Sequence, residues 1–292
     1  MIKGSIVALV TPMTESGELD LPTLNDLLEW HIQEGTDAIV AVGTTGESPT
    51  LSIEENCAVV DHVVKTVKGR VPVIAGTGAN STQEAIEMTA AAKESGADAC
   101  LLVTPYYNKP TQEGLYQHFK AVNDAVGIPI FIYNIPGRSV VDMSLDTFKR
   151  LADLQNIAGV KDATADLARP VVYANALPDD FCLFSGEDAT AIPYLVAGGH
   201  GCISVTANIA PALCAQQHEA WQAGDVQRAM DIQQQLIQVH SAMFCESSPG
   251  PVKYAAELMG LCSSEMRLPM CEIADSSKIA VEKAVRELGL IG

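Results

Sequence analysis

Eleven lysines occur in the chain, and one of them closes an apolar run: Ile157-Ala158-Gly159-Val160-Lys161. The other ten lie in polar or helical surroundings. An ammonium with a reference pKa of about 10.4 is disfavoured in such a place, and desolvation pushes it towards the neutral amine. A neutral amine attacks carbonyls, which makes Lys161 a Schiff-base candidate. An ion pair with Asp162 is the alternative, although strand alternation sends neighbouring side chains to opposite faces. Imine formation needs protons moved on and off a carbinolamine oxygen. Tyr133 ends the run Ile130-Phe131-Ile132-Tyr133 and offers a phenol for that task, and Thr44 and Tyr107 follow two further runs. Taken singly, each hydroxyl reads as a satisfied core group, an isolated tyrosine more readily so than as a catalyst; their convergence on one rim is what favours catalysis. The turn Gly43-Thr44-Thr45-Gly46 offers amides and hydroxyls to a small carboxylate. Arg138, after Pro136-Gly137, either grips a second carboxylate with its planar fork or makes a rim salt bridge.

Such groups need a scaffold that brings them together. Eight short apolar runs recur: Ile6 to Val10, Ala38 to Val42, Val73 to Ala75, Ala99 to Val103, Ile130 to Tyr133, Ile157 to Lys161, Phe181 to Phe184 and Cys202 to Val205. Helical stripes separate most of them, as in Leu24, Leu27, Leu28 and Ile32, or Ala85, Met88, Ala91 and Ala92. Strands that are apolar throughout are buried on both faces, as in a parallel sheet covered by helices. Eight such units across residues 1–224 predict an α/β fold, a closed (β/α)8 TIM barrel, as the catalytic domain. Beyond Gly224 no strand run appears. Asp225 to Phe244, Val252 to Met259 and Lys278 to Leu288 read as helices, interrupted at Pro249, Gly250 and Pro251, so residues 225–292 are expected to form a helical C-terminal domain packed on the barrel. A barrel of this kind keeps its reactive groups at the C-terminal strand ends. Those ends are Gly43 to Ser48, Thr104 to Asn108, Tyr133 to Arg138, Lys161-Asp162 and Ser185-Gly186-Glu187.

Composition removes other functions. The chain has 292 residues, with 18 basic against 36 acidic side chains and a net charge of −18. Its pI is near 4.6. Without a basic cluster there is nothing to neutralise phosphates, so nucleic acid is not an expected partner. Eight cysteines, none in C-x-x-C spacing, suit a reduced, cytoplasmic chain in which Cys100 and Cys202 act as small buried hydrophobes. The N-terminus lacks a signal-peptide pattern, and no apolar stretch is long enough for a membrane span. Gly76-Thr77-Gly78 has no third glycine at dinucleotide-binding spacing. Ser81-Thr82-Gln83-Glu84 fits a capping box, and Gly198-Gly199-His200-Gly201 a tight turn at the opposite barrel end. The six histidines show no metal-ligand spacing, which disfavours a zinc-dependent aldolase and leaves the carbonyl chemistry to lysine.

Three strand-end motifs occur in order: Gly43-Thr44-Thr45-Gly46-Glu47, Tyr133-Asn134-Ile135-Pro136-Gly137-Arg138 and Gly159-Val160-Lys161-Asp162. With them the chain resembles, over essentially its whole length, the dihydrodipicolinate synthase family of pyruvate-dependent class I aldolases. The resemblance implies that Lys161 forms the imine with pyruvate and that Tyr133 donates and accepts protons. It implies a relay through Thr44 and Tyr107, the latter from a neighbouring subunit. Thr45 and Ile203 then contact pyruvate, Gly186 lines the site, and Arg138 holds the carboxylate of L-aspartate 4-semialdehyde. Neither metal nor organic cofactor is required, because the protonated imine is itself the electron sink. Related barrels cleave N-acetylneuraminate or keto-deoxy sugar acids with the same lysine and tyrosine, and a silent barrel that senses pyruvate or lysine is a further alternative. Arg138 argues for an acceptor with a second carboxylate. Ser48, Asn80, Glu84 and Tyr106 match the family's lysine-effector pocket, yet Ile53 and Asn56 stand where inhibited bacterial members often carry histidines. The resemblance therefore implies weakened or absent inhibition, in a homo-oligomer that is usually a tetramer of tight dimers and sometimes a dimer.

Overall fold

The computed structural model describes residues 2–292. Eight strands, β1 (Gly4–Ala8), β2 (Ala38–Ala41), β3 (Val73–Gly76), β4 (Ala99–Val103), β5 (Ile130–Asn134), β6 (Ile157–Asp162), β7 (Cys182–Ser185) and β8 (Gly201–Ser204), pair in chain order into a closed parallel barrel. Closure runs through β1 and β8, where Ile6 faces Ile203. The (β/α)8 expectation is met, with strand ends moved by a residue or two. β1 starts earlier than its apolar run because Gly4 and Ser5 pair with Gly201 and Cys202 although neither is apolar. Gly4 has φ +92°, and a Cβ there would lie 2.1 Å from Asp37 Oδ2, the atom that accepts the Ser5 amide. A side chain at position 4 would displace that carboxylate.

Helices cover the barrel: α1 (Leu21–Gln33), α2 (Ile53–Val67), α3 (Thr82–Ser95), α4 (Gln112–Ala125), the single turn α5 (Pro136–Ser139), α6 (Leu145–Ala152), α7 (Ala168–Ala176), α8 (Ala191–Val196) and α9 (Pro211–Gln222). Alternation along each strand divides the apolar residues into two layers. Ile6, Val40, Ile74, Phe131, Phe184 and Ile203 fill the barrel, with Phe131 and Phe184 packed edge to face at 5.1 Å. Val7, Ile39, Leu102 and Ile132 face outward against the helices.

The chain then continues as α10 (Val226–Ala242), α11 (Gly250–Leu258) and α12 (Asp275–Glu287), close to the three helical segments read from sequence. Leu236, Val252 and Val281 join the same apolar layer that lies between barrel and helices. The capping box expected at Ser81 is only half formed: Ser81 Oγ accepts the Glu84 amide at 3.4 Å, and Glu84 returns no bond. The complete box is at α2, where Ser52 and Glu55 bond reciprocally. The Gly198–Gly201 segment makes the expected tight turn, with Gly199 donating to the Tyr194 carbonyl and His200 Nδ1 accepting from the Leu183 amide. Cys100 and Cys202 are buried, and no cysteine among the described residues is in a disulfide. No helix of the described residues is long and apolar enough to cross a membrane.

Candidate active site

Parallel pairing sets Tyr133 of β5 beside Lys161 of β6, and Lys161 beside Phe184 of β7. Residues in register on neighbouring strands share a face, so both side chains enter the barrel. Lys161 Nζ stands 4.3 Å from the centre of the Tyr133 ring, and Lys161 is only 5% exposed. Among the described residues no carboxylate forms an ion pair with it. Asp162 faces the other way: its Oδ1 accepts the Thr164 amide, and burial pushes its carboxyl above the usual range. The Lys161–Asp162 pair is therefore not formed. Gly186 closes the other side of the lysine, since a Cβ there would lie 3.1 Å from Lys161 Cε and 2.7 Å from Ala163 Cβ. Ile203 is wholly buried in the same interior layer as Tyr133.

A cavity of about 220 Å³ opens at this end of the barrel, with Gly43, Thr44, Tyr106, Tyr133, Ile135 and Arg138 in its wall. Lys161 is not part of that wall; the Tyr133 ring that it touches is. Thr45 is buried and also lies outside the wall. The Gly43–Ser48 turn is tied within itself, because the amides of Gly46 and Ser48 bond to the Gly43 carbonyl and that of Glu47 to the Thr44 carbonyl. Three of its N–H groups are thus spent, and the anion nest read from sequence reduces to the amides of Gly43, Thr44 and Thr45 and the two threonine hydroxyls. Arg138 projects from α5, donates to the Ser248 carbonyl at 3.4 Å, and makes no salt bridge among the described residues. Tyr107 is not brought to the cavity by its own chain: it is 88% exposed, with φ +72°.

Ser48 and Tyr106 share the cavity wall with Thr44. Asn80 donates to the Tyr106 carbonyl at 3.3 Å, and burial, assisted by the Glu84 charge, pushes the Tyr106 phenol up. These four residues are thus neighbours. Asn56 is buried with its amide directed to the Gly76 carbonyl, whereas Ile53 is exposed. No group of three His, Cys, Asp or Glu side chains among the described residues could hold a metal ion.

Sequence reasoning missed the most buried ion pair among the described residues. Glu47, from the Gly-Thr-Thr-Gly-Glu turn, and Lys253, from α11, form an ion pair of 2.6 Å with side chains 1% and 0% exposed. The partners are 206 residues apart. Glu47 was visible as part of a motif; nothing in the local pattern around Lys253 marked it.

Residues 1–288 match the dihydrodipicolinate synthetase family. The chain belongs to that family. The 4-hydroxy-tetrahydrodipicolinate synthase of Rhodospirillum centenum is 57% identical over 291 residues, covering 100% of both chains. The chloride-inhibited dihydrodipicolinate synthase of Acinetobacter baumannii, solved in complex with pyruvate, superposes with a TM-score of 0.97 at 50% identity over 100% of each chain. The enzyme of Cyanidioschyzon merolae, solved with lysine bound, gives 0.96 at 36% identity over 99% of each chain. Membership of the dihydrodipicolinate synthetase family thus rests on the entire barrel together with its C-terminal helices.

Proposed function

We propose that the chain is a lyase of the class I aldolase type that condenses pyruvate with L-aspartate 4-semialdehyde, the committed step of diaminopimelate and lysine biosynthesis. The observation that carries the reading is a buried amine, Lys161, with the Tyr133 ring against it, beside a cavity rimmed by Arg138; among the described residues neither cation is paired to an acid. Lys161 adds to the pyruvate ketone and water leaves, giving an imine. Loss of a methyl proton makes the enamine, whose carbon attacks the acceptor aldehyde. The acceptor's own amine then closes the ring on the imine carbon and expels Lys161. Tyr133 carries protons to and from the carbinolamine oxygen. Thr44 passes them on, and Tyr107 of a neighbouring subunit completes the relay. Thr45 and Ile203 hold pyruvate, Gly186 gives the lysine room, and Arg138 holds the acceptor carboxylate. Residues 1–224 supply this chemistry and residues 225–292 buttress it.

The exposure of Tyr107 supports a homo-oligomer, a tetramer of tight dimers or a dimer, since a phenol in water relays nothing. Ser48, Asn80, Glu84 and Tyr106 form a lysine-effector pocket with weakened or absent inhibition, because Ile53 and Asn56 replace histidines and Asn56 is spent on a backbone carbonyl. Eight free thiols favour a reducing cytoplasm. An assay that offers aspartate semialdehyde and sugar aldehydes as competing acceptors for bound pyruvate tests the reading. Turnover with the semialdehyde alone is expected; equal or better turnover with a sugar aldehyde would replace it with a sugar-acid lyase. Borohydride added with pyruvate should raise the mass at Lys161, and its failure to do so would leave a binding-only barrel.

A further inference from the structure

We propose that Glu47 and Lys253 are positioning residues, through which the C-terminal helices fix the Thr44–Thr45 turn and thereby set the rate of proton transfer at the barrel mouth. The inference rests on the catalytic reading above. Glu47 occurs three residues after Thr44, and its amide donates to the Thr44 carbonyl at 3.1 Å. Its backbone has φ +59°, a conformation few residues other than glycine adopt. Something must hold it there. Oε1 accepts from Lys253 Nζ at 2.6 Å and Oε2 from the Arg267 amide at 3.1 Å. Lys253 in turn donates to the Glu265 carbonyl at 2.5 Å. Arg267 continues the lock outward: its guanidinium reaches the carbonyls of Gly17 and Thr50 and forks onto both oxygens of Glu55.

A buried ion pair is a poor means of adding stability, because apolar replacements often do as well. It does confer position. Within the fold this carboxylate meets an ammonium and an amide N–H together in one place, so the turn that carries it has one register. Lys253 is not a second nucleophile, since its nitrogen is occupied by Glu47 and the Glu265 carbonyl and it has no place in the cavity wall. The path from α11 to Thr44 is therefore two side chains, Lys253 and Glu47, joined by their ion pair, and one backbone hydrogen bond.

The deciding variant is the double substitution Glu47→Gln/Lys253→Met, which leaves neither charge uncompensated. We expect it to fold, to form the pyruvate–borohydride adduct at Lys161, and to lose about 100-fold in kcat, the order associated with an ångström of misplacement. Pyruvate KM should stay within a factor of about three, as expected when only transition-state interactions are lost. A folded double variant with wild-type kcat overturns the proposal, and so does one whose loss lies in KM alone. Should it not fold, Arg267→Gln loosens the same lock from its outer, partly exposed end. A kcat reduced about tenfold at unchanged KM then supports the proposal, and an unchanged kcat sinks it. Wild-type protein that forms no adduct would overturn the role of Lys161, and this inference with it.

Discussion

Two lysines of this molecule are withdrawn from water, one at the barrel mouth and one beneath the C-terminal helices, and they differ in what faces them. Lys253 meets Glu47 at 2.6 Å and a backbone carbonyl, so two of its three donors are engaged. Lys161 has a phenol ring at 4.3 Å and, among the described residues, no ion pair. Cation–π attraction amounts to about 0.5–2 kcal/mol, which does not replace a buried counter-ion. Burial alone therefore does not mark a reactive amine. In the proposed reading the absent partner does, and Lys253 is the control.

Exchanging each lysine for methionine separates the two roles. Lys161→Met should abolish the borohydride adduct and lower turnover by roughly 10⁴-fold or more, because the covalent route is lost. Its melting temperature should stay or rise, as an unpaired buried amine is removed. Lys253→Met should do the reverse to stability. It strands the Glu47 carboxylate in the interior, at about 3–5 kcal/mol, visible as a lower denaturant midpoint with the adduct still formed. Were Lys161→Met the destabilised variant and Lys253→Met the stable one, the contrast between the two sites would be void.

A smaller effect is expected from the neighbour of Lys161. Tyr133→Phe keeps the ring against Lys161 and removes the hydroxyl. It should lower kcat about 10²- to 10³-fold, within the usual range for a positioned acid–base group, with little change in pyruvate KM. A loss confined to KM would make Tyr133 a binding group and leave Lys161 without its proton carrier.

The barrel was legible because its strands are apolar on both faces, a pattern that registers along the chain without knowledge of partners. Lys161 was legible for the same reason, being a charge at the end of such a run. Strand ends at Gly4 and Ser5 escaped because backbone pairing, not side-chain polarity, extends β1. The reciprocal cap at Ser52 and Glu55 has the same Ser-x-x-Glu spacing as Ser81 and Glu84, and spacing alone does not show which glutamate folds back. Glu55 is also held in place by Arg267, from far along the chain. Lys253 shows the limit most clearly: its local pattern is that of any helix, and its meaning lies wholly in a residue 206 positions away.

The outer end of that lock gives the gentlest test, through pH. Hydrogen bonding to the Arg267 fork, followed by that from the Ser52 amide, lowers the Glu55 carboxyl to about 2. An unfolded glutamate titrates near about 4.3. The folded state therefore binds fewer protons in between, so the contribution is complete above the unfolded value and is lost as pH falls towards 2. The pair is partly open to solvent, with side chains 22% and 32% exposed, so screening keeps it near 1 kcal/mol, roughly the upper end for surface pairs. Arg267→Gln should accordingly be less stable than wild type at pH 7, and the gap should narrow between about pH 4 and 2. Urea midpoints measured across that range check it. A constant gap would mean that Arg267 acts on the Gly17 and Thr50 carbonyls alone, and that the half-buried outer pair, unlike the buried one behind it, contributes nothing by its charge.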